Sequence, residues 1–481
     1  SVPLLLVANT QVSSLPVIFY DAVSLHMVTL RLQWGAQQIY GHFKPPSTHA
    51  VHPANLLMQA PEITRPASGL SAYWLRIATV WTYIQFRWYW LSSSTQSVAQ
   101  ATQFLVIGWL VLEITGSSAQ LGLVIFMYGV PNVSFLLVAG VVADRFDRRY
   151  ILIATQAAVG VVIAALAVLE IAGLVATWHI YIAAALLGVI QSLNMPARMT
   201  MIADLVEERS ILDAVAMQNA ATHAGRIVGP PIAGVIIEVW GVGAGLAAIA
   251  ACYVVSIACV AKIGHTSQSA PSRDRSPFRN FADGISYIKN NPVVLTVIVI
   301  TCAFGGFGMS HMQVVPAMAK DVLGSGSAGV GLLFLGSGIG SFVGSLLLPA
   351  MGRAHVYRAL LLSLLLFVLF LSLFAWSTWF WVTWAFFLLV GVTGVGMVWP
   401  LATTIIQVES SAEVRGRVMG ILQLTPGFHY LGAFPLALAA GQWGWGVAIT
   451  GAAGLSLAVT LWFALARGGA PKLSPQTTEA I

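Results

Sequence analysis

Asn219, His223 and Arg226 recur at i, i+4 and i+7, so any helix that contains them carries all three on one face. Arg226 is the only charged side chain between Ala214 and Ile237. If that stretch crosses lipid, an arginine at its middle costs roughly 2.5 to 3.5 kcal/mol and has to face the interior of a bundle. The stripe is read as functional, with a hydrogen-bond network gluing this helix to a neighbour as the alternative. Other polar and aromatic groups sit inside apolar runs: Gln96, Gln100 and Gln103, then Gln191 and Asn194, then Phe304, Phe307, His311 and Gln313, then Trp399 and Thr403. Neutral amides beside rings suit binding of an amphiphilic molecule better than bond-breaking. Each of them could equally hold helices together, so only the set points to a binding chamber. The chain lacks GxxxxGK[ST], HExxH and GxSxG, which speaks against a nucleotide-driven pump and the commonest hydrolases. No enzyme activity, cofactor or metal is expected; Cys252, Cys259 and Cys302 lie in apolar runs without ligand spacing and read as small core residues.

The elements that must position these groups follow from composition. Of 481 residues only 8% are charged and 58% are hydrophobic, with a mean hydropathy of +0.82, against roughly 25% charged in a soluble domain. Apolar runs long enough to span a bilayer recur from Phe86 onward without period-two alternation, so helices rather than a barrel are predicted. The expected class is an all-α membrane protein of twelve transmembrane helices. They fall near 88–112, 119–143, 150–172, 177–200, 214–237 and 243–264, then 293–317, 327–350, 357–376, 379–405, 415–440 and 444–466. This gives an N-terminal six-helix bundle over 81–264, a polar cytoplasmic linker over 265–291, a C-terminal bundle over 292–466 and a tail over 467–481. Residues 1–80 hold seven prolines and one apolar stretch interrupted by Asp21, His26 and Arg31. They are expected to be a poorly ordered extension, with an amphipathic interfacial anchor as the alternative.

Arg and Lys residues set the orientation. Arg145, Arg148, Arg149, Arg198, Arg209, the linker cluster, Arg353, Arg358, Arg415, Arg417, Arg467 and Lys472 all fall on one predicted side, with Lys320 on the other. Both termini are therefore expected in the cytoplasm. The basic residues form no stripe, so no nucleic-acid partner is expected. The halves also repeat: Pro196 aligns with Pro400, Thr200 with Thr404, Gly122 with Gly331 and Gly129 with Gly338. Such parallel repeats place a binding site at their interface near the bilayer midplane.

Gly140, Asp144, Arg145, Asp147, Arg148 and Arg149 make the stretch Gly-Val-Val-Ala-Asp-Arg-Phe-Asp-Arg-Arg. It resembles the GxxxDRxGRR loop of the major facilitator superfamily, with Asp147 where glycine is usual. Phe86-Arg87-Trp88-Tyr89-Trp90, Leu112 to Ser117, Pro196-Ala197-Arg198 with Asp204-Leu205-Val206, and Arg415 to Met419 resemble the branch containing enterobactin exporters and macrolide efflux proteins. Gly225, Gly229, Pro230, Pro231 and Gly234 are similar to the glycine- and proline-rich motif of antiporters in that superfamily, with one glycine fewer after the proline pair.

The resemblance implies two pseudo-symmetric bundles with the first, fourth, seventh and tenth helices lining a cavity, hence the amide and aromatic sets named above. It also implies export of a small siderophore- or drug-like molecule by alternating access in the bacterial inner membrane. A monomer is expected, with lipid and the small-molecule substrate as partners. A lysolipid flippase on the same fold, and a non-transporting sensor or scaffold, stand as alternatives. Proton coupling is an expectation without a mid-depth carboxylate, because Glu113, Glu170, Glu238 and Glu409 all lie near helix ends, which leaves His223 and His311 as candidates. Asp144 and Asp147 opposite Arg415 and Arg417, mirrored by Asp213 and Arg353, read as cytoplasmic latches that hold the halves in the outward-facing state.

Overall fold

Helices whose side chains are almost all apolar satisfy their backbone internally, which is what lipid demands of a spanning segment. The computed structural model describes residues 70–264, 277–348 and 356–466, and within them the repeating structure is helical throughout. A short α1 (Leu70–Thr82) precedes α2 (Ile84–Thr115), α3 (Ser118–Arg145), α4 (Arg148–Ile171), α5 (Thr177–Leu205) and the long α6 (Ile211–Ala261). After α7 (Pro277–Asn290) come α8 (Pro292–Ala303), α9 (His311–Leu323), α10 (Ser327–Leu347), α11 (Val356–Trp376), α12 (Phe380–Thr393) and α13 (Trp399–Glu409). The described part closes with α14 (Ala412–Leu422), α15 (Phe428–Trp443) and α16 (Trp445–Ala466).

The helix ends have local causes. Asp147 caps α4 by accepting from the backbone N–H of Arg149 at 2.8 Å, and Asn291 caps α8 by accepting from Val293 and Val294 at 3.1 Å. Gly241, at φ 82°, breaks α6 in two, a turn that a residue with a Cβ rarely makes. Ten segments of the described chain are long and apolar enough to cross a membrane, and one of them, Glu208–Ala261, is 54 residues long and holds this break.

The structure adds detail to the expected pattern. α1 overlaps the last residues of the extension over 1–80, and α7 lies within the linker over 265–291. The seventh and tenth predicted helices are each interrupted by a π-helical turn, Phe304–Gly308 and Gly394–Val398, and the eleventh is divided by a short turn at Thr425–Gly427. Residues 1–69, 265–276, 349–355 and 467–481, with the expectations that fall on them, lie outside the described residues.

The ends of the bundle differ. Trp178, Trp376, Trp379, Trp381 and Trp443 are exposed at the ends of α5, α11, α12 and α15 that lie away from the arginines, and Trp240 is exposed at the Gly241 break of α6, the placement of an interfacial aromatic belt. The opposite end carries Arg148, Arg149, Arg209, Arg415 and Arg417. Helices α2 to α6 meet α8 to α16 along two seams, α3 against α15 and α6 against α10, and the repeat-paired glycines occupy corresponding places in them. A methyl on Gly122 of α3 would lie 2.7 Å from Ala437 of α15, and one on its counterpart Gly331 of α10 would lie 2.7 Å from the Pro230 carbonyl of α6. The sequence repeat is therefore an interface repeat, since only glycine lets the backbones approach this closely.

Candidate functional site

The stripe on α6 changes character along its length. Asn219, His223 and Arg226 are exposed, while Pro230, Ala233 and Ile237, which continue the same face at helical spacing, are buried. The change falls where α10 arrives: Gly331 abuts Pro230 and Pro231, and Gly338 abuts Ile227. The face is thus open toward the arginine-bearing end and shut toward the tryptophan-ringed end. Arg226 sits at the boundary, within electrostatic reach of Tyr430 and His429 on the far half and of Arg198 on α5.

Aromatic packing closes the space beside Arg226. Tyr430 of α15 stacks on Phe104 of α2 with centroids 5.3 Å apart and meets Tyr128 of α3 edge-on at 4.8 Å. Phe104 and Tyr128 meet edge-on at 5.1 Å, so one ring from the second half is wedged between two of the first. Farther toward the tryptophan ring, the Glu238 carboxylate of α6 accepts from the Ser327 hydroxyl at 3.0 Å at the start of α10. Lys320 of α9 donates to the Leu112 carbonyl near the end of α2 at 3.1 Å. The anion meets a helix N-terminus and the cation a helix C-terminus, the favourable sense for both dipoles.

The amides predicted to line a cavity are placed differently. Gln96, Asn194 and Gln191 are 1%, 4% and 5% exposed. Gln96 donates to the Asn194 side chain at 2.7 Å and accepts from Gln156 of α4 at 3.2 Å, while Asn194 donates to Thr155 at 2.8 Å. Gln191 reaches the Tyr253 hydroxyl at 3.4 Å, and Gln103 is fully buried. The bonds of Gln96, Gln191 and Asn194 tie α2, α4, α5 and α6 together within the first half. His311 is likewise sealed in the second half, its Nδ1 2.6 Å from the Gly308 carbonyl and its ring among Phe367, Phe374 and Phe387; Phe304 packs in the same core. Of the remainder, Phe307 is exposed and Gln100, Gln313, Trp399 and Thr403 are half-buried.

The loop and latch residues fall mostly into contacts within a half. Arg148 pairs with Asp204, bracing α4 against α5, and Arg149 donates to the Ala261 carbonyl at 2.7 Å. Asp147 is spent on its own helix cap, Arg415 donates to the Ser410 carbonyl at 3.3 Å, and Arg417 faces Asp283 of α7 at 3.5 Å. Among the described residues, no ion pair joins Asp147 or Asp213 to the second half. Gly140, Asp144 and Arg145 belong to α3, but the surroundings of Gly140, the side chains of Asp144 and Arg145, and all of Arg353 lie outside the described residues.

The glycine–proline segment has a geometric reason. A methyl on Gly225 would approach the Ser97 carbonyl carbon to 2.9 Å, and one on Gly229 the Thr102 hydroxyl to 2.9 Å, so both admit α2 closely. Gly234 admits Ser327 of α10. One stretch of α6 thus touches both halves through backbone.

Arg198 reads from sequence as a topology signal, and Tyr430 and His429 carry no charge or motif to flag them, so sequence reasoning passes over all three. Glu238 and Lys320 are visible as charges at helix ends, and their separation of 82 positions hides that they serve the same closure.

The comparisons with known proteins agree with this geometry. The sequence profile of the Major Facilitator Superfamily matches residues 89–432. Similar proteins include the Staphyloferrin A transporter of Staphylococcus aureus, 24% identical over 341 residues that cover 70% of this chain and 85% of that one. They also include the Multidrug efflux pump Tap of Mycolicibacterium fortuitum, 24% identical over 68% of this chain and 82% of that one, and Macrolide efflux protein A of Streptococcus pyogenes, 21% identical over 56% and 67%. Among solved structures, the nucleoside transporter NupG matches with a TM-score of 0.62 at 13% identity, covering 80% of this chain and all of the other. A bacterial homologue of the human lysosomal transporter Spinster, crystallised inward-facing and unoccupied, matches with a TM-score of 0.58 at 11% identity over 80% and 95%. With a profile that spans well over half of its length and this two-seamed helical architecture, the chain belongs to the Major Facilitator Superfamily and is a multi-pass membrane transporter.

Proposed function

We propose that this transporter is a secondary active exporter of a small organic molecule, siderophore- or drug-like, that works by alternating access in the bacterial inner membrane. The observation that carries the reading is one-sided closure: the Asn219–His223–Arg226 face is open at one end and shut at the other by α10 and by the Phe104–Tyr128–Tyr430 wedge. A binding face that ends at a seam of glycines is suited to a rocking exchange between two closures. With arginines at the open end and tryptophans at the shut end, the positive-inside rule makes this state inward-open. The same rule supports cytoplasmic termini; the break of α6 at Gly241 turns the ten segments into eleven crossings, since 54 residues of helix are about twice a bilayer's need, and α14 with α15 would supply a twelfth. The latch reading of Asp144, Asp147 and Asp213 with Arg415, Arg417 and Arg353 belongs to the opposite state, in which the open end would close. Efflux by relatives supports the outward direction of transport.

The test is counterflow in proteoliposomes with labelled siderophores, macrolides and cationic dyes, repeated after collapse of the proton gradient. Saturable counterflow of one class, reduced in Arg226→Ala, is the expected result. Absence of flux for every solute, or uptake of lysolipid in their place, would overturn the reading.

A further inference from the structure

We propose that the substrate carries an anionic oxygen group, a carboxylate or similar oxyanion on an aromatic or apolar body, and that Arg226 with Arg198 binds it. This deepens the transporter reading and rests on the same face. Arg226 is exposed on the open face of α6, at the level where α10 arrives and closes that face, so it lines space that a substrate can enter. Arg198 of α5 is within electrostatic reach of Arg226. An arginine within a spanning helix is unfavourable unless something negative joins it, and a second cation within reach adds to that cost.

Nothing in the described protein supplies that charge. The ion pairs that Arg148, Arg209 and Arg417 make with Asp204, Glu207 and Asp283 involve neither Arg198 nor Arg226. The nearest carboxylates along α6 are Asp213 and Glu238, thirteen and twelve residues from Arg226, which at a helical rise of about 1.5 Å is roughly 18 to 20 Å. Asp204 on α5 is already paired with Arg148. Of the remaining polar neighbours, His223 and the Tyr430 hydroxyl can donate hydrogen bonds to an oxyanion, while His429, whose Nδ1–H is given to the Pro426 carbonyl, adds no negative charge. Guanidinium groups form forked, charge-assisted hydrogen bonds with carboxylates. The Phe104–Tyr128–Tyr430 wedge next to this charge offers rings for the apolar body of the same molecule.

The experiment measures binding and transport separately. Full-length protein in phosphatidylcholine nanodiscs is titrated with 5-carboxyfluorescein, an anionic ring system, and with rhodamine 6G, a cationic one, by fluorescence anisotropy. The wild type is expected to bind carboxyfluorescein, with affinity about tenfold or more weaker in Arg226→Gln and in Arg198→Gln and partly kept in Arg226→Lys, as for loss of a charge-assisted contact. Rhodamine 6G binding should weaken far less than carboxyfluorescein binding in the same variants, whose melting temperatures, close to that of the wild type, show that they are folded. Wild type that binds rhodamine 6G and not carboxyfluorescein, or variants that lose both dyes together, would overturn the anion site. Carboxyfluorescein bound to the wild type but not carried into proteoliposomes would leave the anion site standing and sink the transport reading.

Discussion

Glu238 and Ser327, on helices from opposite halves, meet at 3.0 Å, and the same carboxylate lies 3.4 Å from the backbone N–H of Ala328 at the first turn of α10. The Ser327 hydroxyl also lies 2.9 Å from the Gly234 carbonyl, so its proton is shared between two acceptors on α6. A contact of this kind can hold one end of the bundle shut without any partner cation, because the charge is opposed by the unsatisfied N–H groups of a helix start. Lys320 repeats the arrangement in reverse on the end of α2.

Glu238→Gln should therefore favour opening at the tryptophan-ringed end. The expected cost is about 1 kcal/mol, a change of roughly fivefold in the closed-to-open ratio. The measurement is the maleimide labelling rate, from that side, of a cysteine placed at Val330, in protein whose native cysteines are serine. Lys320→Met should act similarly, and the pair should add if the two contacts work independently. Unchanged labelling in both variants would mean that packing alone closes this end.

The glycine seams predict a larger effect. In Gly331→Ala the new methyl meets the Pro230 carbonyl, and in Gly122→Ala it meets Ala437 and the Phe434 backbone, atoms that cannot swing aside. Each change should destabilise the described state by about 1 to 3 kcal/mol, typical of overpacking, and shift it toward the opposite state. Gly451→Ala on α16, where no atom lies within 4 Å of the added methyl, is the control expected to change nothing. Cysteine labelling at both ends, or the distance between spin labels across the halves, reads the shift.

How far the sequence could lead depended on the kind of feature. Apolar runs, the glycine repeat and the isolation of Arg226 are properties of the one-dimensional string, and they located the helices, the seams and the exposed stripe. Gln96, Gln191 and Asn194 were different, since a polar face in an apolar helix points equally well to a sister helix or to a chamber, and here it points to sisters. In the seventh and tenth segments the π-helical turns at Phe304–Gly308 and Gly394–Val398 shift the helical register, so that face arithmetic run through them misplaces the residues beyond each turn, His311 included. Closures between halves, such as Lys320 on Leu112, join positions 208 apart and leave no local trace.

The buried amides give a third prediction. Gln96→Leu removes the partner of both Asn194 and Gln156 in a closed core, which should cost about 1 to 3 kcal/mol. The melting temperature of the purified protein is expected to fall while substrate affinity stays within about twofold, because the stability cost lies within one half. A loss of affinity at unchanged melting temperature would return Gln96 to the binding face.

The two candidate histidines should separate in a pH profile of transport. His311 is buried and enclosed by three phenylalanine rings, with its Nδ1 held to the Gly308 carbonyl, so a proton has no open route to it. His311→Asn is expected to lower thermal stability and leave the shape of the pH profile unaltered. His223 is exposed on the same face as Arg226, one turn away, where a substrate or a hydronium ion can reach it. His223→Asn should flatten any dependence of transport on pH that the wild type shows, at little cost in stability. A profile that moves with His311 and ignores His223 would place the proton-sensitive step in the core of the second half and away from the exposed face.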